Sequence, residues 1–150
     1  MKKLILILAV AFLSVSHSQS DLYKKNIRLA QDNFLKKDYK KTILLSIKSL
    51  NEKPNDFMAL NFLQLSHNYL GEFDMSLEYG NQIVKLHSNQ TNLTLNRLLA
   101  YAYFVQGLNF YFLDNNKNAC NFFNAAILLE PNDPPMSIKQ MQFVAELCHD

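Results

Sequence analysis

Six residues toward the C-terminus constrain this chain most: Gly107, Phe110, Ala119, Phe123, Ala126 and Pro131. A glycine and an alanine twelve positions apart suit the crossing of two helices, because a bulky side chain at either place would force the backbones apart. Phe110 and Phe123 then fill the space beside the crossing, and Ala126 lets the next element approach. Pro131 ends the second helix, since it has no amide to continue it. Between them, Asp114-Asn115-Asn116 reads as a turn whose side-chain oxygens can cap the second helix.

The same order recurs upstream. Leu29-Ala30 precedes the turn at Asp38-Tyr39, and Leu50 and Pro54 close the unit. Tyr39, Ile43, Ile47 and Leu50 keep helical spacing, although Thr42, Ser46 and Ser49 replace small or aromatic residues. A fainter copy carries Leu63, the turn Gly71-Glu72-Phe73, then Leu77, Ile83 and Val84. Gln64, His67, Ser76, Gly80 and Ser88 depart from the pattern there. Pro54 and Pro131 lie 77 residues apart, two periods of 34 plus nine. The extra nine fall at about Thr91 to Leu99, where Leu93, Leu95, Leu98 and Leu99 run on into Tyr101 and Phe104. One long helix from about Leu93 to Leu113 is expected, capped by Thr91 or Asn92. It is apolar on nearly every side and so buried over most of its circumference.

This arrangement resembles the tetratricopeptide repeat, a helix-turn-helix unit of about 34 residues that stacks on copies of itself. The resemblance implies an all-α fold, a right-handed alpha-alpha superhelix of three stacked repeats over about 23–56, 57–90 and 93–133. Beyond Pro134-Pro135, a capping helix is expected over about 135–148. Ile138, Met141, Val144 and Leu147 would face inward, and Ser137, Lys139, Gln140, Gln142 and Glu146 outward.

Residues 1–18 read as a secretory signal peptide. Lys2-Lys3 precedes an apolar run from Leu4 to Leu13, and small residues flank Ser16-His17-Ser18. That run falls short of the roughly 20 residues a membrane span needs. The expectation is an exported protein, periplasmic or secreted, with a helical domain over 19–150 and no transmembrane span in the mature chain. Removing Lys2 and Lys3 leaves 13 basic residues against 13 acidic ones, which argues against nucleic acid as a partner. Charge is uneven, with nine basic and five acidic residues from Asp21 to Asp56 and four against eight beyond. Lys24, Lys25, Lys36, Lys37, Lys40 and Lys41 read as a solvated face.

In an exported chain the two cysteines merit attention. Cys120 stands eleven residues before Pro131 and Cys148 thirteen after Pro135, so an antiparallel hairpin would set them at similar heights. A disulfide is possible only if their Cα atoms come within about 7 Å; the alternative is a buried thiol at Cys120 acting as a small apolar residue.

Catalytic, metal and cofactor signatures are missing from the sequence. Gly71, Gly80 and Gly107 are too scattered to cradle a phosphate, and His67 and His87 have no ligand spacing. Cys148, His149 and Asp150 occupy a chain end, where catalytic geometry is hard to hold. Glu72, Asp74 and Glu78 read as equally exposed, whereas acid–base work needs carboxylates in contrasting surroundings. The expectation is no enzyme, no cofactor and no metal.

The resemblance implies a concave groove lined by the first helix of each unit, and hence a protein or peptide partner. Its candidate residues are Ile27, Gln31 and Phe34; then Asn61, Leu65, Asn68 and Tyr69; then Tyr101, Phe104, Leu108 and Phe112. The family's carboxylate clamp uses Lys and Asn pairs; Ile27, Gln31, Tyr101 and Val105 take those places here, so an apolar peptide or amphipathic helix suits the lining better. Two other readings stay open. One is a ligand carrier or small enzyme with Tyr101, Tyr103 and Tyr111 converging on a pocket; the other is a structural subunit that associates with copies of itself.

Overall fold

The computed structural model describes residues 21–87, 93–130 and 132–149. Among these residues there are seven helices and no strand. They are α1 (residues 21–35), α2 (Tyr39–Glu52), α3 (Phe57–Tyr69), α4 (Phe73–His87), α5 (Leu93–Phe112), α6 (Asn116–Leu129) and α7 (Ile138–Leu147). The expected signal peptide, the cap at Thr91 or Asn92 and the stop at Pro131 lie outside the described residues. From α2 onward each helix packs on the next, and α3 also touches α5. That is the connectivity of paired helices stacked into a superhelix. No helix of the described residues is long and apolar enough to cross a membrane.

The repeat is most exact in the turns. Lys37, Gly71 and Asp114 each adopt a left-handed conformation, with φ of 61, 75 and 55°. Each donates its amide to the residue three back, and the following amide reaches five back: Lys37 to Phe34 and Asp38 to Asn33, Gly71 to Asn68 and Glu72 to His67, Asp114 to Tyr111 and Asn115 to Phe110. This pair of bonds closes a helix with a left-handed residue. Asp38 and Asn115 then cap the next helix through side-chain oxygens, at 3.1 and 3.2 Å from the amides of Lys41 and Asn118. The three turns stand 34 and 43 residues apart, so the nine-residue insertion lies between the second and third units, in the stretch that lengthens α5.

Those offsets align the helix crossings. Ala30, Gln64 and Gly107 are equivalent on the first helices, and Ser46, Gly80 and Phe123 on the second. In the third unit Gly107 makes room for the Phe123 ring, whose Cγ would lie 3.0 Å from any added Cβ. Ala119 is fully buried, as are Thr42 and Ser76, its equivalents. Thr42 and Ser76 bond their hydroxyls to the carbonyls of Ala30 and Gln64 at 3.4 and 2.8 Å, so a small hydroxyl does there what alanine does in unit three. Aromatic stacks repeat as well. Tyr39 lies on Tyr69 at 4.9 Å, and one unit further Phe73 lies on Phe112 at 5.0 Å.

Helix α7 caps the stack with a different face from the one expected. Val144 is buried, and Phe143, Leu147 and Met136 pack beside it on Phe104, Phe123 and Ala126. Ile138 is 77% exposed and Met141 38%, because only the C-terminal half of the helix reaches the core while its first turn overhangs. Cys120 and Cys148 form a disulfide with Cα atoms 5.5 Å apart, closing a separation of 28 residues. A loop of that length is worth about 3–4 kcal/mol in the chain-entropy account.

Candidate functional site

The first helices of units two and three diverge to leave a half-open trough of about 620 Å³. Helix α3 contributes Leu65, Asn68 and Tyr69 from its last two turns. Helix α5 contributes Tyr101, Phe104, Val105, Leu108 and Phe112, a stripe at three- and four-residue spacing. Gly71 and Phe73 close one end at the α3–α4 turn, and Pro135 and Gln140 form a wall where the chain enters α7.

Seven of the eleven expected groove residues are therefore brought together: Leu65, Asn68, Tyr69, Tyr101, Phe104, Leu108 and Phe112. Ile27, Gln31, Phe34 and Asn61 lie outside the cavity. Phe34 instead supports it from behind, packing on Tyr69 at 5.8 Å and on Phe62 at 5.7 Å. The trough thus spans two units rather than three. Phe104 is only 5% exposed and belongs to the core as well as to the floor, while Phe112 is 53% exposed at the rim.

The tyrosines do not converge. Tyr101 faces the trough, Tyr103 packs on Phe122 at 5.8 Å, and Tyr111 meets Phe143 edge-on at 5.0 Å. Burial, and secondarily the neighbouring Tyr69, push the Tyr101 phenol above its ordinary value of 10.0, so it stays a neutral hydroxyl at physiological pH. None of the twelve lining residues carries a charge. Among the described residues no three His, Cys, Asp or Glu side chains gather as metal ligands. His67 is buried, stacks on Tyr79 at 5.5 Å and bonds to Glu72 at 2.5 Å, a structural role at the α3–α4 turn.

Behind the trough lies a buried polar cluster that the sequence pattern does not announce. Ser76 donates to the Gln64 carbonyl at 2.8 Å, Asn109 donates to Ser76 at 2.8 Å, and Asn68 donates to Asn109 at 2.7 Å. Gln64 reaches the Ala102 carbonyl at 3.0 Å, and Gln106 reaches Asn81 at 2.9 Å. Gln64, Ser76, Gln106 and Asn109 are all fully buried. The available signal was their coincidence. Two fully buried carboxamides, Gln106 and Asn109, interrupt the apolar α5, and the unit they face is the one where Gln64, Ser76 and Gly80 break the pattern.

No protein-family model matches the sequence, and a search of curated proteins finds no match. Among solved structures, the chain is similar to the first tetratricopeptide domain of Spaghetti (RPAP3) bound to the HSP90 peptide SRMEEVD. That likeness has a TM-score of 0.65 at 18% identity, covering 88% of this chain and 91% of that one. A MamA double mutant also aligns, at 15% identity over 85% of this chain and 83% of that one, with a TM-score of 0.46. The fold is that of tetratricopeptide repeats.

Proposed function

We propose that this protein is a non-enzymatic interaction module that holds an uncharged, largely apolar polypeptide segment in the trough between α3 and α5. The observation that carries this reading is the lining: a cavity of about 620 Å³ walled by aromatic and aliphatic side chains without one charged group. Apolar walls with a few fixed polar groups are what a recognition pocket of this size requires. The structurally similar domain of Spaghetti (RPAP3) was solved with the peptide SRMEEVD. That peptide carries three acidic side chains, and this trough has no cation to receive them, so the partner differs in chemistry. The scattered tyrosines give no support to a ligand-carrying or catalytic pocket in the third unit. Export to the cell envelope, the expectation from residues 1–18, forms part of the proposal.

The test is selection of a displayed random dodecapeptide library on the folded domain, followed by rebinding to Leu108→Glu. Enriched peptides rich in apolar side chains, with affinity at least tenfold lower for the variant, are expected. Recovery of no binders, or of binders indifferent to Leu108→Glu, overturns the reading.

A further inference from the structure

Building on that reading, we infer that the trough recognises an N–H donor in its ligand, which is received by the side-chain oxygen of Asn68. One proton sets the orientation of the whole series. Ser76 Oγ lies 2.8 Å from the Gln64 carbonyl oxygen, and a carbonyl only accepts, so the hydroxyl must donate there. Having spent its one hydrogen, Ser76 can only accept from Asn109 at 2.8 Å, which places the Asn109 amide nitrogen toward it. The Asn109 oxygen then faces Asn68 at 2.7 Å, and the group it meets must be the Asn68 nitrogen. Each link fixes the next. A carboxamide has one oxygen and a nitrogen with two hydrogens, so Asn68 keeps one N–H and its whole oxygen outside this series, and the oxygen is the acceptor left over.

Asn68 is half-buried and lines the trough, whereas Ser76 and Asn109 are fully buried and closed to competing water. The equivalent positions of the other units hold Phe34 and Tyr111, so a small amide here is not what packing alone selects. The trough therefore offers a fixed acceptor between apolar walls. A segment that places an N–H against the Asn68 oxygen and apolar side chains against Phe104 and Leu108 pairs that acceptor and covers the apolar walls. A carboxylate or a carbonyl brought against that oxygen leaves two acceptors facing one another, which costs more than a lost contact. The N–H can belong to the main chain or to an indole ring, and the ligand class is an uncharged peptide with that donor free.

The experiment uses the dodecapeptides selected on the wild-type domain. Each is resynthesised as a backbone N-methyl series, with 1-methyltryptophan replacing any tryptophan, and titrated by calorimetry. One methylation is expected to weaken binding about tenfold, the loss of one neutral hydrogen bond. In the backbone series the donor is a main-chain amide; with methyltryptophan it is the indole. On Asn68→Leu the parent and methylated peptides should bind equally. On Ser76→Ala, which frees Asn109 to turn over, the tenfold ratio should shrink while affinity for apolar side chains persists. The same titration followed by the Asn68 side-chain amide signals of the ¹⁵N-labelled wild type needs no variant, and those signals should move with the parent peptide and not with its methylated form. Selected peptides whose methylated forms lose nothing, or lose as much on Asn68→Leu, overturn the assignment while leaving the trough as a peptide site. A selection that yields no binder overturns both.

Discussion

The second and third helical pairs make the same crossing with their side chains exchanged. In the third, a glycine on the first helix, Gly107, faces a phenylalanine on the second, Phe123. In the second, the large residue Gln64 sits on the first helix and the glycine, Gly80, on the second; a Cβ on Gly80 would lie 2.6 Å from Gln64 Nε2. One large side chain and one gap suffice, and which helix supplies which is free. The chemistry is not free. A phenyl ring needs only apolar neighbours, whereas a buried carboxamide needs partners. Gln64 therefore reaches across to Ala102, and Gln106 packs into the same gap and reaches Asn81. The second crossing is thereby tied by directed bonds to the third unit, and the third crossing is held by close packing, with the Cys120–Cys148 disulfide tying α6 to the end of α7.

Breaking the apolar crossing should have the largest effect. Phe123→Ala empties a fully buried ring site and is expected to cost about 3–5 kcal/mol in urea unfolding. Gly107→Ala alone should cost about 1–3 kcal/mol by overpacking, and the double variant should cost less than the two together, because the truncated ring no longer meets the new methyl. Strict additivity would deny that the two residues share one space. Gly80→Ala should also cost about 1–3 kcal/mol, but through displaced carboxamides. Its signature is faster hydrogen exchange along both α3 and α5, where Gly107→Ala loosens α5 and α6.

The smallest effect sharpens the comparison with the first junction, which adds charge. Asp56 caps α3 through the Ala59 amide at 3.1 Å and meets Lys53 at 2.8 Å. Burial alone would raise its carboxyl, but Lys53, the Ala59 amide and Tyr23 together hold it below the ordinary 3.8. The same burial and the carboxylate push the Tyr23 phenol up to about 12. A depressed carboxyl stabilises the fold above its unfolded value, and that stability is lost as pH falls through the folded one. Melting temperature should therefore drop on acidification below pH 3.8. Asp56→Asn keeps a good cap and should lose about 1 kcal/mol at neutral pH, with a flatter acid limb. An unchanged acid limb would mean that other carboxylates govern it.

The third unit is legible because its large residue is an aromatic in the expected place and its turn is written in Asp and Asn. Unit two reads as degenerate for a reason that only contacts reveal. Gln64 and Gly80 are each out of place alone and fit as a pair, and no spacing rule reports a compensation between positions on different helices. The trough is half legible. The α5 stripe follows from helical periodicity, but Phe73, Pro135 and Gln140 enter from the start of α4 and from the capping segment. The inward face of α7 departs from expectation at Ile138 and Met141, because periodicity defines a face without saying how much of the helix reaches the core.

What the amino-acid order settled unaided was local: the turns, the long α5, the 34-residue period and its nine-residue extension. These depend on neighbours within a few positions, and side-chain chemistry is enough to set them. Tertiary packing decided the rest: which large residue fills which gap, where two first helices part to leave a trough, and which way the Asn68 amide points. That last orientation comes from a hydroxyl proton on another helix, relayed through side chains that share no local pattern, and only their meeting in space determines it.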